Sequence, residues 1–145
     1  MGGMLDPKSV MEAYVRDINA KDLEAVLALF DDSVTVPGFV RQLFSGNTGK
    51  DVLRRYIGET VIAQNGRLET VRIAVSADGW AFGELALSSD MVRTFGQERI
   101  TGIDQLQVRD GKIIAFKFLP DILDDQTRAY YVNMGVLGAA SEASG

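Results

Sequence analysis

The stretch ITGIDQLQVRDGKIIAFKFLP, residues 100–120, decides how the chain is read. Two runs of alternating apolar and polar residues flank Asp110-Gly111. Asp-Gly suits a two-residue hairpin turn, because both central residues of a type I′ turn need positive φ. The pattern predicts strands over 97–109 and 112–120. In the first, Ile100, Gly102, Asp104, Leu106 and Val108 share one face, and Thr101, Ile103, Gln105 and Gln107 share the other. Asp104 therefore falls on the apolar face, where a carboxyl group must find hydrogen-bond donors or keep its proton. On the second strand Ile114, Phe116 and Phe118 make one apolar face.

Working outward, strands are predicted over 67–76 and 79–91, with turns at Asp78-Gly79 and Phe95-Gly96. In the 79–91 strand Glu84 and Asp90 share a face with Trp80, Phe82 and Ala86. The opposite face, with Ala81, Leu85, Leu87 and Met91, is equally apolar, so alternation leaves open which one points inward. Upstream, Asp6-Pro7 opens a helix whose apolar stripe is Val10, Met11, Tyr14, Val15 and Ile18. Asp22 caps a second helix carrying Leu23, Val26, Leu27 and Phe30. A short strand at 33–36 ends at Pro37-Gly38, residues 39–49 read as a loop, and a third helix runs from Lys50 to Ala63, capped by Asn47 or Thr48. A last helix near 122–135 carries Tyr130-Tyr131, a lid or packing element. Residues 136–145 are expected to be a flexible tail. The layout is α+β, with a single domain over 6–135. Its curved antiparallel sheet, closed by three N-terminal helices, forms a cone that can hold a pocket.

Composition narrows the chemistry. The 145 residues include neither Cys nor His, which excludes disulfides, thiolate sites, cysteine nucleophiles and a Ser-His-Asp triad. A net charge of −5 without any basic cluster argues against nucleic acid and anionic membrane as partners. No apolar run reaches the ~20 residues of a membrane span. MGGMLDPKS lacks the pattern of a secretory signal, so cytoplasmic residence is expected. Gly46-Asn47-Thr48-Gly49-Lys50-Asp51 lacks the spacing of a phosphate loop. Asp31-Asp32 and Asp124-Asp125 read as helix termini, and neither has the ligand run of a calcium loop. No metal and no cofactor are expected.

The segment YVRDINAKDLEAVLALFDDSVTV, residues 14–36, is similar to the opening helices of ketosteroid isomerases and SnoaL-like polyketide cyclases. ITGIDQLQVRDGKIIAFKFL resembles their closing hairpin, and the resemblance spans roughly residues 8–120. It implies the nuclear transport factor 2-like, cystatin-like cone. It also implies roles: Tyr14 stands where the isomerases keep an oxyanion-hole tyrosine, and Asp104 where they keep a protonated aspartic acid as second donor. The family's proton-shuttling aspartate precedes a proline after the first short strand. Here that stretch reads Val36-Pro37-Gly38-Phe39, without a carboxylate. In the Asp-Arg-Asp network of epoxide hydrolase relatives, Asp90 fits one position, but Ser88 and Phe118 stand at the other two.

The expected function is an isomerase or cyclase acting, through an enolate, on a small apolar ring-containing carbonyl compound. Tyr14 and Asp104 would donate to the oxygen, each worth roughly 3–4 kcal/mol in a dry pocket. Asp90, Glu84 and Asp121 are the candidates for moving the proton. Phe30, Tyr56, Phe82, Glu84, Leu106, Phe116 and Phe118 are expected around the ligand. The alternatives are a non-catalytic binder of a small hydrophobic molecule and a structural dimerisation module. The outer sheet face, read as Leu85, Leu87, Ile103, Gln105, Ile113 and Leu119, is apolar enough to predict a homodimer in each case.

Overall fold

Asp6 accepts a hydrogen bond from the Ser9 amide and so caps α1, Pro7–Asn19, whose first residue is proline. In the computed structural model, which describes residues 6–138, this helix buries Val10, Met11, Ala13, Tyr14 and Ile18 on one face. Asp22 caps α2, Leu23–Ala28, and β1 follows at once, Phe30–Thr35. The sequence-predicted loop at 39–49 contains a short helix, α3, Phe39–Leu43, which begins after Gly38 at φ +80°. Thr48 caps α4, Gly49–Ile57, and a wider π turn, Gly58–Ile62, continues it.

The remaining elements are β2, Arg67–Val75; β3, Trp80–Ser88; α5, Asp90–Thr94; β4, Ile100–Arg109; β5, Lys112–Pro120; and α6, Asp125–Met134. They build an α+β fold whose five-stranded sheet, ordered β1-β5-β4-β3-β2, is curled but open. The sheet is not wholly antiparallel, in contrast to the expectation: β1 runs parallel to β5, a pairing open to it because the two strands are far apart in the chain and no hairpin joins them.

Three local expectations are corrected. β3 stops at Ser88, since Ser89 turns back to cap α5 through its hydroxyl, so Asp90 begins a helix and does not lie on a strand. Gly96 ends that helix at φ +89° instead of forming a hairpin. Asp110 and Gly111 both adopt positive φ, as a type I′ turn requires, whereas between β2 and β3 only Gly79 does.

A register shift after Gln107 brings Ile113 rather than Ile114 opposite Val108 and into the core. Leu85 and Ile113, expected on the outer face, are buried. Val136 and Leu137, expected in a flexible tail, pack on the core, and the Val136 amide donates to the Tyr131 carbonyl. Residues 139–145 lie outside the described part. Among the described residues no helix is long and apolar enough to cross a membrane.

Candidate functional site

Asp104 sits in the middle of β4, paired with Gly83 of β3 on one side and Phe118 of β5 on the other. Its side chain faces inward, as the alternation predicts, and is only 6% exposed. Gly83 decides what can lie above it. A Cβ there would come within 2.8 Å of the Met11 sulfur, so the glycine lets α1 settle directly on the sheet. That descent brings Tyr14, one turn after Met11, over the same patch. Its ring packs against Phe116 at 6.0 Å and Phe30 at 6.3 Å between centroids.

Burial pushes the Asp104 carboxyl up to about 7, and hydrogen bonding from Tyr14 pulls it the other way. Among the described residues no cation contributes to that balance. Tyr14 and Tyr56 are both driven well above the ordinary phenol value, first by burial and then by the charge of Asp104. At neutral pH the site thus offers phenols that stay protonated beside a carboxyl group that exists in both forms.

The space over this patch has two lobes. Tyr14, Asp104, Gly102, Leu68, Leu85 and Phe118 are among the walls of the inner lobe, which holds about 400 Å³ between atoms, its mouth included. Gly102 keeps it open: a Cβ there would stand 2.5 Å from the Phe118 ring. The outer lobe, about 420 Å³ on the same measure, lies under Phe39 and Leu43 of α3 and Tyr130, Tyr131 and Met134 of α6. Tyr56, Val61, Leu87 and Ile100 line both, so the lobes adjoin. Val61 belongs to the π turn, a feature frequent at functional sites.

The residues singled out from sequence divide sharply. Tyr14, Asp104, Tyr56 and Phe118 meet at the inner lobe. Phe30, Leu106 and Phe116 are fully buried core beneath it and do not line it. Phe82 and Glu84 lie on the outer face, because Ala81, Gly83 and Leu85 take the inward positions of β3. Phe82 stacks on Trp80 at 6.2 Å, and Glu84 pairs with Arg72 at 2.7 Å.

Asp90 is exposed at the start of α5. It accepts hydrogen bonds from Asn65 and Arg93, both at 2.6 Å, which hold its carboxyl below the usual range. Asp121 is exposed and accepts from the Leu123 amide. Asp104 is thus the one carboxylate lining either lobe among the described residues. Sequence reading missed Gly83 and Gly102, although glycine inside a strand is a signal of close approach. It also missed α3, whose five residues are too few to show a period.

The SnoaL-like domain model matches residues 11–116. The chain belongs to this family. Among solved structures of the same fold is a candidate ketosteroid isomerase from Kribbella flavida, 20% identical over 79% of this chain and 76% of that one, with a TM-score of 0.61. A candidate polyketide cyclase from Sinorhizobium meliloti is 16% identical over 77% and 94%, with a TM-score of 0.61. SalBIII, an epoxide hydrolase/cyclase-like enzyme with a role in pyran ring formation in the polyether salinomycin, is 18% identical over 81% and 92%, with a TM-score of 0.65. At such identities these likenesses establish the fold alone. No curated protein matches the chain.

Proposed function

We propose that this SnoaL-like protein binds a small, apolar, ring-containing carbonyl compound in the inner lobe and acts on it, through its enolate, as an isomerase or cyclase. Tyr14 donates its hydroxyl proton in a hydrogen bond to the carbonyl oxygen. Ionised Asp104 takes a proton from the carbon beside the carbonyl. The C–H bond breaks, an O–H bond forms on Asp104, and the electron pair comes to rest on the oxygen held by Tyr14. Returning that proton to another carbon completes an isomerisation; attack by the enolate carbon on a second carbonyl forms a C–C bond and an alkoxide, which takes the proton from Asp104 to complete a ring closure. The observation that carries this reading is a lone buried carboxyl with a value of about 7 in an apolar cavity, the value a general base needs near neutral pH.

A second reading is supported by the same lone carboxyl. Tyr14 and a neutral Asp104 adjoin each other, so both can donate to one oxygen, and without a separate base the cavity would hold a phenol or ketone unchanged. The two readings differ in the sign of their pH dependence. As a base, Asp104 gives turnover that rises with pH through about 7; as a donor, it gives ligand binding that weakens over the same range. The experiment is to incubate the protein with a β,γ-unsaturated cyclic ketone, follow the conjugated product by absorbance from pH 5 to 9, and titrate 2-naphthol in parallel. Naphthol binding without conversion overturns the catalytic reading in favour of the binder. For assembly, Trp80, Phe82, Ile103 and Leu119 on the outer sheet face support pairing with a second copy of the chain, which sedimentation would test.

A further inference from the structure

The tyrosine pair of α6 plays no part in the chemistry above, yet it lines the outer lobe. We propose that this lobe is a second subsite anchored by the Tyr131 hydroxyl, and that the ligand is a flat ring compound with an uncharged oxygen at each end. One oxygen is held at Tyr14 and Asp104; the other, a carbonyl, accepts from Tyr131. The inference rests on the reading of the inner lobe given above and extends it.

Four observations carry it. First, the lobes adjoin across Tyr56, Val61, Leu87 and Ile100, so a ligand that reaches past these side chains from one lobe meets the other. Second, Tyr131 is only 5% exposed, and among the described residues its hydroxyl has no hydrogen-bond partner in the protein, while the hydroxyl of Thr60, on the π turn, is committed to the Tyr56 carbonyl at 2.5 Å. A phenol in so apolar a setting gains by meeting an acceptor. Third, among the described residues no Asp, Glu, Lys or Arg lines the outer lobe, which selects a neutral oxygen over a carboxylate or an ammonium group.

Fourth, the ring is held in place. The Gln126 side-chain oxygen accepts from the Glu98 and Arg99 amides, Thr127 accepts from the Thr101 amide at 2.8 Å, and Asn133 donates to the Phe95 carbonyl at 2.9 Å. These bonds clamp α6 along its length, and Phe39 meets the Tyr131 ring edge-on at 5.3 Å. A donor fixed in this way binds with little further loss of freedom. Tyr131 also lies beyond residues 11–116 matched by the family model, so the subsite belongs to the C-terminal helix of this chain.

The test compares 6-acetyl-2-naphthol with 6-isopropyl-2-naphthol, similar in shape but with the second oxygen removed, and uses 2-naphthol as the one-ended control. In Tyr131→Phe the acetyl-to-isopropyl affinity ratio should fall about 3- to 10-fold, the worth of one neutral hydrogen bond, with 2-naphthol binding unchanged. An unchanged ratio, while 2-naphthol still binds in a Tyr14-dependent way, overturns the second subsite and leaves the inner-lobe reading standing. A ratio that falls only when Tyr130→Phe is added overturns the assignment to Tyr131. Failure of 2-naphthol to bind the unaltered protein removes the inner-lobe reading, and the second subsite with it.

Discussion

Asp104 and Asp90 are the same side chain on neighbouring parts of the fold, and their surroundings set them in opposite directions. Asp104 points from the centre of β4 into an apolar cavity, with a tyrosine for company and no cation, and burial raises it to about 7. Asp90 stands at the exposed start of α5, its amide bonded to the Gln64 carbonyl and its carboxylate gripped by Asn65 and Arg93. Asn65 in turn accepts from Lys21 at 2.6 Å, so this second carboxylate closes a clasp between the turn after α1, the end of the π turn and α5. One carboxyl is raised because burial outweighs its bond from Tyr14; the other is lowered because Asn65 and Arg93 hold its charge. A carboxylate in this fold therefore takes its affinity for protons from its neighbours, not from its position in the chain.

The comparison is broken most forcefully by exchanging Asp104 for an amide. Asp104→Asn keeps the shape but neither takes nor returns a proton, and conversion of an enolisable ketone should fall roughly 10²- to 10⁴-fold. The same variant reports on stability. The folded value of about 7 lies above the ordinary 3.8, so the folded state holds its proton more tightly than the unfolded chain does. That difference has no effect below about pH 4, where both states are protonated. It lowers stability progressively as pH rises toward 7 and levels off above, at a maximum of about 4 kcal/mol. Denaturant titrations at pH 5 and pH 8.5 should show the unaltered protein losing stability toward alkaline pH and Asp104→Asn losing much less. Equal pH profiles would mean that the carboxyl is better solvated than its burial indicates.

Tyr14→Phe is the next smaller perturbation. It removes one donor from the oxygen and leaves the Phe30–Tyr14–Phe116 aromatic packing intact, so turnover should drop roughly 10²- to 10³-fold, with little change in the melting temperature. If turnover survives, the oxygen of the bound compound is held elsewhere, and Tyr56 is the group to change next.

The contrast also shows how far the chain can be read before it is folded. Alternation along 100–108 was sufficient to turn Asp104 inward, because β4 contains no bulge before Gln107 and the period holds. The positions of Tyr14 and Tyr56 are legible for the same reason: α1 and α4 each bury one apolar face, and these tyrosines adjoin it. The failures share a different cause. β3 has apolar residues on both faces, one covered by helices and the other bearing Trp80 and Phe82, so alternation carries no sign there and Glu84 was placed in the cavity on equal evidence. Asp90 was lost to a single hydroxyl: Ser89 caps a five-residue helix, a local bond that overrides the strand pattern before it. Ile113 replaced Ile114 because a bulge moved the register by one. Turns, caps and bulges are decided by one or two residues, and a period cannot see them.

The smallest effect is expected at the clasp, and it is the one that most sharpens the contrast. Asp90→Asn retains the shape and the acceptor for Asn65 while removing the charge that faces Arg93. Because this group lies outside both lobes, kcat and KM for any substrate should be unchanged, and 2-naphthol affinity likewise. Its carboxyl is held below the ordinary value, so its support for the fold is present above about pH 4 and fades as acid protonates it, the reverse of Asp104. A melting curve should therefore show a small loss for Asp90→Asn at neutral pH that disappears near pH 3. If the variant instead loses turnover, the clasp reaches the cavity through the π turn that ends beside Asn65. Asp90 would then be a positioning residue for Val61, and a change in ligand selectivity rather than in pH profile would reveal it.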